Sequence, residues 1–430
     1  MLRYSGAVIN ERHVGGNGDL NNTKFRTYSG LLVIQNFFSN VIFYSIISSL
    51  FMVSRGLNYT EIFAMESILA VVLLVVDIPT SALADRYDRR VVIVFGHFVT
   101  LVSTAIFAIS HGFWSFALSF ALSGMGIAVL SGSNTAYIYD LYKSIGSEDD
   151  STRVYSWISM AENCATLLSF IVGSWLATYG YTYTIYATLA ANAIGLLVIL
   201  FLPAQRIRPS GENTEGLQDA SRRSIFIASV RVIISSPTLV FFALAGPAVW
   251  VIVNGFNYLN QPLFLRAHIH VQYFGWIMAV GALCAMLVAP FADKLQNKLG
   301  VIGSVLVSAL FIAATLVSMA YTNDPIIIIG LIAILNISNS LRSPILSSAV
   351  NSMVPSEVRA TVLSILSGIG TAVTIILNPV IGYLANHSVT IGLLSSGIFV
   401  LVLTFGYVPA LLRFKRLRKI EDQSIEQATS

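Results

Sequence analysis

Three charged side chains lie within apolar stretches of the sequence, where an ion is costly. Glu162 lies eight residues into the stretch 154–178. At 1.5 Å per helical residue it would lie roughly 12 Å deep in a membrane. A desolvated carboxylate at that depth suits reversible protonation, so Glu162 is a candidate proton-coupling residue, and the alternative is a permanent structural ion pair. Glu66 is shallower, so hydration or a vestibule role is as consistent with its position as coupling.

Arg342 is the one basic residue that we place inside an apolar stretch. Its depth matches that of Glu162, and an unpaired guanidinium there would be expensive. We therefore expect Arg342 to pair with Glu162 in one conformation and to meet an anionic ligand group in another. The alternative is that Arg342 faces a water-filled cavity alone.

Two apolar stretches each carry a stripe of polar side chains at helical spacing. The stripes contain Asn36, Asn40 and Tyr44 in the first stretch and Trp250, Asn254 and Asn257 in the second. Polar groups are rare in apolar helices, so both stripes are candidate ligand-binding surfaces. The alternative is hydrogen bonding between helices without any ligand.

Six charged residues are concentrated in the segment 77–90, although only 11% of the chain is charged. They are Asp77, Asp85, Arg86, Asp88, Arg89 and Arg90. An arginine there can form a charge-assisted pair with a carboxylate such as Asp140. The segment is thus a candidate gate, unless its charges merely cap and orient helices.

The elements that position these residues are predicted to be membrane-spanning helices. The chain has 430 residues, 55% of them hydrophobic, and a mean hydropathy of +0.75. A bilayer core needs about 20 apolar residues per helix. We predict twelve spans, at 28–53, 61–83, 91–110, 113–139, 154–178, 181–203, 237–262, 272–293, 300–321, 325–350, 358–385 and 389–412.

The predicted fold is an all-α membrane protein with the spans grouped six and six. A polar linker without apolar periodicity separates the groups. The divisions are an N-terminal segment 1–27, a six-helix bundle 28–203, a linker 204–236, a second bundle 237–412 and a tail 413–430. Of the 25 Lys and Arg residues, all but Arg55, Arg266 and Arg342 fall on one side, which predicts cytoplasmic termini and a cytoplasmic linker.

The second half of the sequence echoes the first. "SALADR" at 81–86 returns as "APFADK" at 289–294, which adds Asp293 to the candidate gate. The first phrase and its echo, with the twelve-span plan, resemble the major facilitator superfamily, whose loop signature is Gly-x-x-x-Asp-Arg-x-Gly-Arg-Arg. Here Ser81 and Asp88 replace its two glycines. "VPSEVRATVLS" at 354–364 is similar to phrases in bacterial drug-exporter-like branches.

This resemblance implies two six-helix bundles, with the first, fourth, seventh and tenth spans lining a central cavity. It also implies that Asp85 and its basic neighbours take part in a cytoplasmic latch. The fifth span lacks the Gly-Pro motif of many antiporters, and the fourth lacks the arginine of many proton-coupled members. The direction of transport is therefore open.

Other classes of function lack the residues that they require. The sequence has no GxxxxGK[ST] loop, HExxH or GxSxG elbow, and Cys164 and Cys284 show no metal spacing. We expect neither cofactor, metal nor nucleic-acid partner, and no enzyme. We expect a monomeric secondary transporter of the bacterial inner membrane that exports a small amphipathic compound in exchange for protons. The alternatives are uptake of a polar solute and a ligand sensor that transports nothing.

Overall fold

The computed structural model describes residues 15–84, 87–146, 150–204, 215–406 and 408. Within these residues the chain is almost entirely helical. The helices are α1 (Gly15–Ser39), α2 (Ser48–Ser54), α3 (Tyr59–Ala84), α4 (Arg89–Ile109), α5 (Gly112–Ser144), α6 (Ser151–Leu176), α7 (Tyr181–Ile199), α8 (Glu215–Ser235), α9 (Pro237–Arg266), α10 (Phe274–Val288), α11 (Ala292–Tyr321), α12 (Pro325–Met353), α13 (Arg359–His387) and α14 (Val389–Phe405).

Nine stretches of the described residues are long and apolar enough to cross a membrane. One of them, Thr23–Ser54, contains the break between α1 and α2, and another, Val271–Tyr321, contains both α10 and α11. The helix α14 is apolar but has only 17 residues. The count of twelve spans and the cytoplasmic position of the termini therefore stay predictions.

The helices form two halves that follow the order of the chain. The first half contains α1–α7 and the second contains α9–α14, and the halves meet where α3 packs on α13 and α6 packs on α10. Short connections make consecutive helices antiparallel. We call the end at which residues 87–88 join α3 to α4 the signature end, and the end at which residues 177–180 join α6 to α7 the opposite end.

Among the described residues, buried apolar side chains join the halves at one end and not at the other. At the opposite end a single cluster contains Phe51 and Phe63 of the first half and Phe264 of the second. Towards the signature end each half has a cluster of its own, around Tyr142 in the first and Phe242 in the second. Close packing across this shared cluster therefore seals the halves together at the opposite end.

Small residues and hydrogen bonds support this seal. A methyl group on Gly275 of α10 would overlap the carbonyl oxygen of Phe170 in α6, and Gly382 approaches α3 in the same way. The side-chain oxygen of Gln261 accepts hydrogen bonds from the backbone N–H of Ser49 (2.9 Å) and from its hydroxyl (2.7 Å). Close backbone approach of this kind requires glycine.

The first predicted span is interrupted. The helix α1 ends at Ser39, and a 3₁₀ turn at Phe43–Ile47 precedes α2. The break frees backbone groups, which lipid cannot satisfy. The hydroxyl of Ser169 accepts the N–H of Ile42 and that of Thr188 accepts the N–H of Phe43, both at 2.9 Å.

Part of the predicted linker is structured. We interpreted residues 204–236 as a polar linker without apolar periodicity, but part of this segment forms α8, in which Ser229 and Ile233 are buried. The segment begins with polar residues, which are followed by Ile225, Ile227 and the apolar residues around Ile233. Its mean composition therefore did not indicate a helix, although α8 packs on α9 and α13.

Candidate functional site

A cavity of about 370 Å³ lies between the halves, on the inner side of the seal. Its volume is typical of a small-molecule site. The 3₁₀ turn after the break in α1, α3, α5, α6, α9 and α13 all contribute to its wall. The polar and aromatic lining residues include Tyr44, Glu66, Trp250, Asn254, Asn257 and Tyr258.

Four of the six stripe residues line this cavity. They are Tyr44, Trp250, Asn254 and Asn257. The amide of Asn254 also donates to the carbonyl of Trp250 at 2.9 Å, within its own helix. The structure brings the four residues together around one cavity, and their role in binding a substrate stays a prediction.

Asn36 and Asn40 lie elsewhere, because the break in α1 separates them from Tyr44. The amide of Asn36 donates to the carbonyl of Leu32 (2.9 Å) and to the side chain of Gln35 (3.0 Å). The amide of Asn40 donates to the carbonyl of Asn36 at 2.9 Å. Neither residue lines the main cavity in this structure.

Glu66 is the carboxylate of the cavity, and the tyrosine that holds it comes from the other half. The hydroxyl of Tyr258 in α9 donates a hydrogen bond to the carboxylate of Glu66 in α3. Glu66 is half-buried and lies seven residues after the first residue of α3. The depth of Glu66 did not distinguish this role from hydration, and the available signal was the position of Tyr258 directly after Asn257 of the second stripe.

Glu162 lines a second pocket, which belongs to the first half alone. Asn36, Ser131, Asn134 and Ser159 line the same pocket. The described residues provide no hydrogen-bond or ion-pair partner for the Glu162 carboxylate. The proton-coupling role of Glu162 stays a prediction, and it does not have the contact between halves that Glu66 has.

Arg342 is buried and turns towards its own half. It is 3% exposed, and its guanidinium donates to the backbone carbonyls of Ala245 (3.1 Å) and Gly246 (3.5 Å) in α9. Its Nε atom has no partner among the described residues. The predicted pair with Glu162 is not formed here, because that pair requires the halves to meet at the signature end.

The charged segment forms contacts within the first half. Arg89 of α4 forms an ion pair with Asp140 of α5 and donates to the carbonyl of Ala136 at 3.1 Å. Asp77 accepts a hydrogen bond from Ser131 at 3.1 Å. The pair of Arg89 with Asp140 joins neighbouring helices of one half, so in this conformation it does not latch the two halves. Asp85 and Arg86 lie outside the described residues.

Asp88, which stands where the family signature has glycine, is the N-cap of α4. Its carboxylate accepts the backbone N–H of Arg90 at 2.9 Å. The guanidinium of Arg90 in turn donates to the carbonyl of Leu200, just after α7. Asp293 is exposed in the first turn of α11, where a carboxylate is favourable to the helix dipole. The gating roles of these residues stay predictions.

Over the described part of the chain, no group of three or more His, Cys, Asp or Glu residues is arranged to hold a metal ion. Cys164 is exposed and Cys284 is half-buried, and both are free thiols.

Known bacterial proteins are similar in sequence to this chain. The chain is 22% identical over 385 residues to an uncharacterized MFS-type transporter, YxaM, of Bacillus subtilis strain 168, covering 88% of this chain and 92% of YxaM. It is 29% identical over 153 residues to multidrug resistance protein MdtH of Yersinia enterocolitica, covering 35% and 37% of the two chains.

The fold is similar to that of the nucleoside transporter NupG, with a TM-score of 0.74 at 15% identity over 89% of this chain and 98% of NupG. The family model of the Major Facilitator Superfamily matches residues 30–259 and 252–428. The apolar helices and this match identify a multi-pass membrane protein. The chain belongs to the Major Facilitator Superfamily.

Proposed function

We propose that the chain is a secondary active transporter of the bacterial inner membrane that exports a small amphipathic compound in exchange for protons. It would cross the membrane twelve times with both termini in the cytoplasm, so the signature end faces the cytoplasm. The partial likeness to MdtH, a multidrug resistance protein, supports export. The protein acts on its substrate by moving it and performs no covalent chemistry.

One observation carries the proposal: a small-molecule cavity lies between two halves that are sealed on one side of it only. The shared apolar cluster closes the opposite end, whereas the halves have separate clusters towards the signature end. A substrate therefore reaches the cavity from the cytoplasm in this conformation. Breaking the seal and closing the signature end would expose the same cavity to the outside.

Proton exchange is assigned to Glu66, because its hydrogen bond to Tyr258 crosses between the halves. An ionised carboxylate is a stronger acceptor than a protonated one. Protonation of Glu66 therefore weakens this contact and favours opening of the sealed end. Glu162, the residue indicated by the sequence, is the second candidate, since it lines a pocket of the first half and its carboxylate has no partner among the described residues.

The proposal is tested by flux into proteoliposomes with and without an imposed pH gradient. Suitable probes are ethidium, a fluoroquinolone and a ferric siderophore. We expect the wild-type chain to move at least one probe against its gradient when protons flow the other way. Glu66→Gln should abolish this uphill movement, because the glutamine amide does not bind or release a proton over the pH range of the assay.

The matched control is Glu357→Gln, which neutralises an exposed carboxylate in the connection between α12 and α13. It should transport as the wild type does. Uphill transport by Glu66→Gln at the wild-type rate would remove Glu66 from coupling. A wild-type chain that moves none of the probes, with or without the pH gradient, would contradict export of this class of compound.

A further inference from the structure

The charges that line the two pockets have one sign. The main cavity contains the carboxylate of Glu66, and the second pocket contains that of Glu162. Among the described lining residues of both pockets there is no Lys, Arg or His. Arg342, the buried cation that the sequence indicated as a binding residue, donates to carbonyls of α9 and does not line either pocket.

No basic side chain among the described residues neutralises either carboxylate. Tyr258 gives Glu66 a hydrogen bond but no countercharge, and Glu162 has neither among the described residues. Removing a carboxylate from water without a countercharge is costly, and the cost falls when a cation binds beside it. Both sites are thus complementary to a positive group.

The rest of the cavity wall suits the body of an organic cation. The rings of Tyr44 and Phe107 are stacked with centroids 4.8 Å apart, and both line the cavity. Trp250 lies on the wall with 55% of its surface exposed. Aromatic faces attract cations and also bury apolar groups. A compact inorganic cation would gain little from such a wall.

From these contacts we infer that the transported compound is an organic cation, which binds first at the Glu162 pocket and then at Glu66, where it displaces the hydroxyl of Tyr258. This rests on the proposed transport function and adds the chemical class of the substrate. Displacement would free the hydrogen bond that joins the halves, so the bound cation and a bound proton act on the same contact. No covalent bond is made or broken.

The first test compares ions of one shape and opposite charge, tetraphenylphosphonium and tetraphenylborate, with benzyltrimethylammonium and ethidium as further cations. Binding is measured by equilibrium dialysis of the full chain in nanodiscs, with empty nanodiscs subtracted. At least one cation should bind saturably, and tetraphenylborate should not. Saturable binding of tetraphenylborate, or no saturable binding of any of the cations, would overturn the inference.

The second test assigns the two sites with variants. Glu66→Gln should weaken binding of the cation by on the order of tenfold, the loss expected for one charge-assisted contact. Glu162→Gln should leave the affinity at Glu66 unchanged and slow association, followed by stopped-flow fluorescence of ethidium, since it removes the first site but leaves the second. An unchanged association rate would remove the Glu162 pocket from the route of binding. Glu357→Gln, distant from both pockets, should match the wild type. Unchanged binding in Glu66→Gln would contradict the assignment of the cavity.

The third test removes the hydroxyl of Tyr258, which competes with the cation for the carboxylate of Glu66. Tyr258→Phe removes the hydroxyl that the cation displaces, so it should bind the cation more tightly than the wild type does. Ser67→Ala removes a different hydrogen bond between the halves, the one to the carbonyl of Ile375, and should leave the affinity unchanged. Equal or weaker binding in Tyr258→Phe would exclude displacement.

Binding and transport can fail separately. If the binding tests fail but another probe moves with the pH gradient, the chain is a transporter of a different class of compound. If cations bind as described but nothing moves, the cavity is a cation-binding site and the proposed transport is wrong.

Discussion

The carboxylate of Asp88 shows how a departure from a family signature acquires a local function. A glycine at this position would leave the first N–H groups of α4 to water, whereas Asp88 accepts the N–H of Arg90. An aspartate at an N-cap also interacts favourably with the helix dipole. The sequence revealed the substitution but not its role, because the role depends on where α4 begins.

We predict that Asp88→Ala destabilises the protein by about 1 kcal/mol, the usual cost of a lost N-cap. Asp88→Asn should be close to the wild type, because asparagine caps helices about as well. Thermal unfolding of the purified variants, followed by light scattering and intrinsic fluorescence, measures both. If the two variants were equally destabilised, the negative charge of Asp88 would matter more than its hydrogen bond.

For single residues, the sequence predicted which polar side chains line the cavity better than it predicted which groups they contact. Trp250, Asn254 and Asn257 line the cavity because one unbroken helix carries them, so helical spacing was sufficient. Asn36 and Tyr44 lie on opposite sides of a break, which periodicity does not detect. The contact between Glu66 and Tyr258 joins residues 192 positions apart, and depth in a single span contains no information about it.

At the scale of helices, the approach of α6 to α10 depends on one missing side chain. We predict that Gly275→Ala destabilises the seal, since its methyl group would overlap the carbonyl of Phe170. Overpacking of this kind typically costs about 1–3 kcal/mol. Spin labels at Tyr179→Cys and Tyr321→Cys, in a background with Cys164 and Cys284 replaced by serine, should report a longer distance across the opposite end.

The matched control is Gly330→Ala in α12, where an added methyl group would meet no atom within 4 Å. It should leave the distance unchanged. A Gly275→Ala variant with the wild-type distance would show that α6 and α10 separate to admit the methyl group without opening the seal.

Helices were predicted from hydropathy wherever a long apolar run exists, and α3, α4 and α12 lie within a few residues of their predicted spans. The sequence failed where a helix begins with polar residues or is interrupted. The segment of α8 was interpreted as linker because its first residues are polar. Ser229 and Ile233 are buried because α8 packs against α9. Packing against neighbours, which a single segment cannot reveal, decided both cases.

At the scale of the whole molecule, Glu162 and Arg342 are apart in this conformation. Glu162 has no partner among the described residues, and Arg342 donates to carbonyls of α9. We predict that they form an ion pair when the signature end closes, which would also displace a cation from the Glu162 pocket. Neutralising either residue should abolish gradient-driven transport. The exchange Glu162→Arg with Arg342→Glu should restore some downhill exchange, because the pair is re-formed with its charges reversed.

Flux assays on the two single variants and the double variant measure this coupling. A double variant no better than either single variant would argue against the pair. So would a structure closed at the signature end in which the two groups are more than about 8 Å apart, beyond ion-pair reach.

The interruption between α1 and α2 has a consequence for biosynthesis. The N–H groups of Ile42 and Phe43 are satisfied by hydroxyls that lie 127 and 145 residues later in the chain. At typical elongation rates the ribosome needs on the order of ten seconds to make that length. Until then the insertion machinery or water must shield the two amides. A nascent chain released before α6 would therefore expose both amides in the bilayer and become a substrate for membrane quality-control proteases.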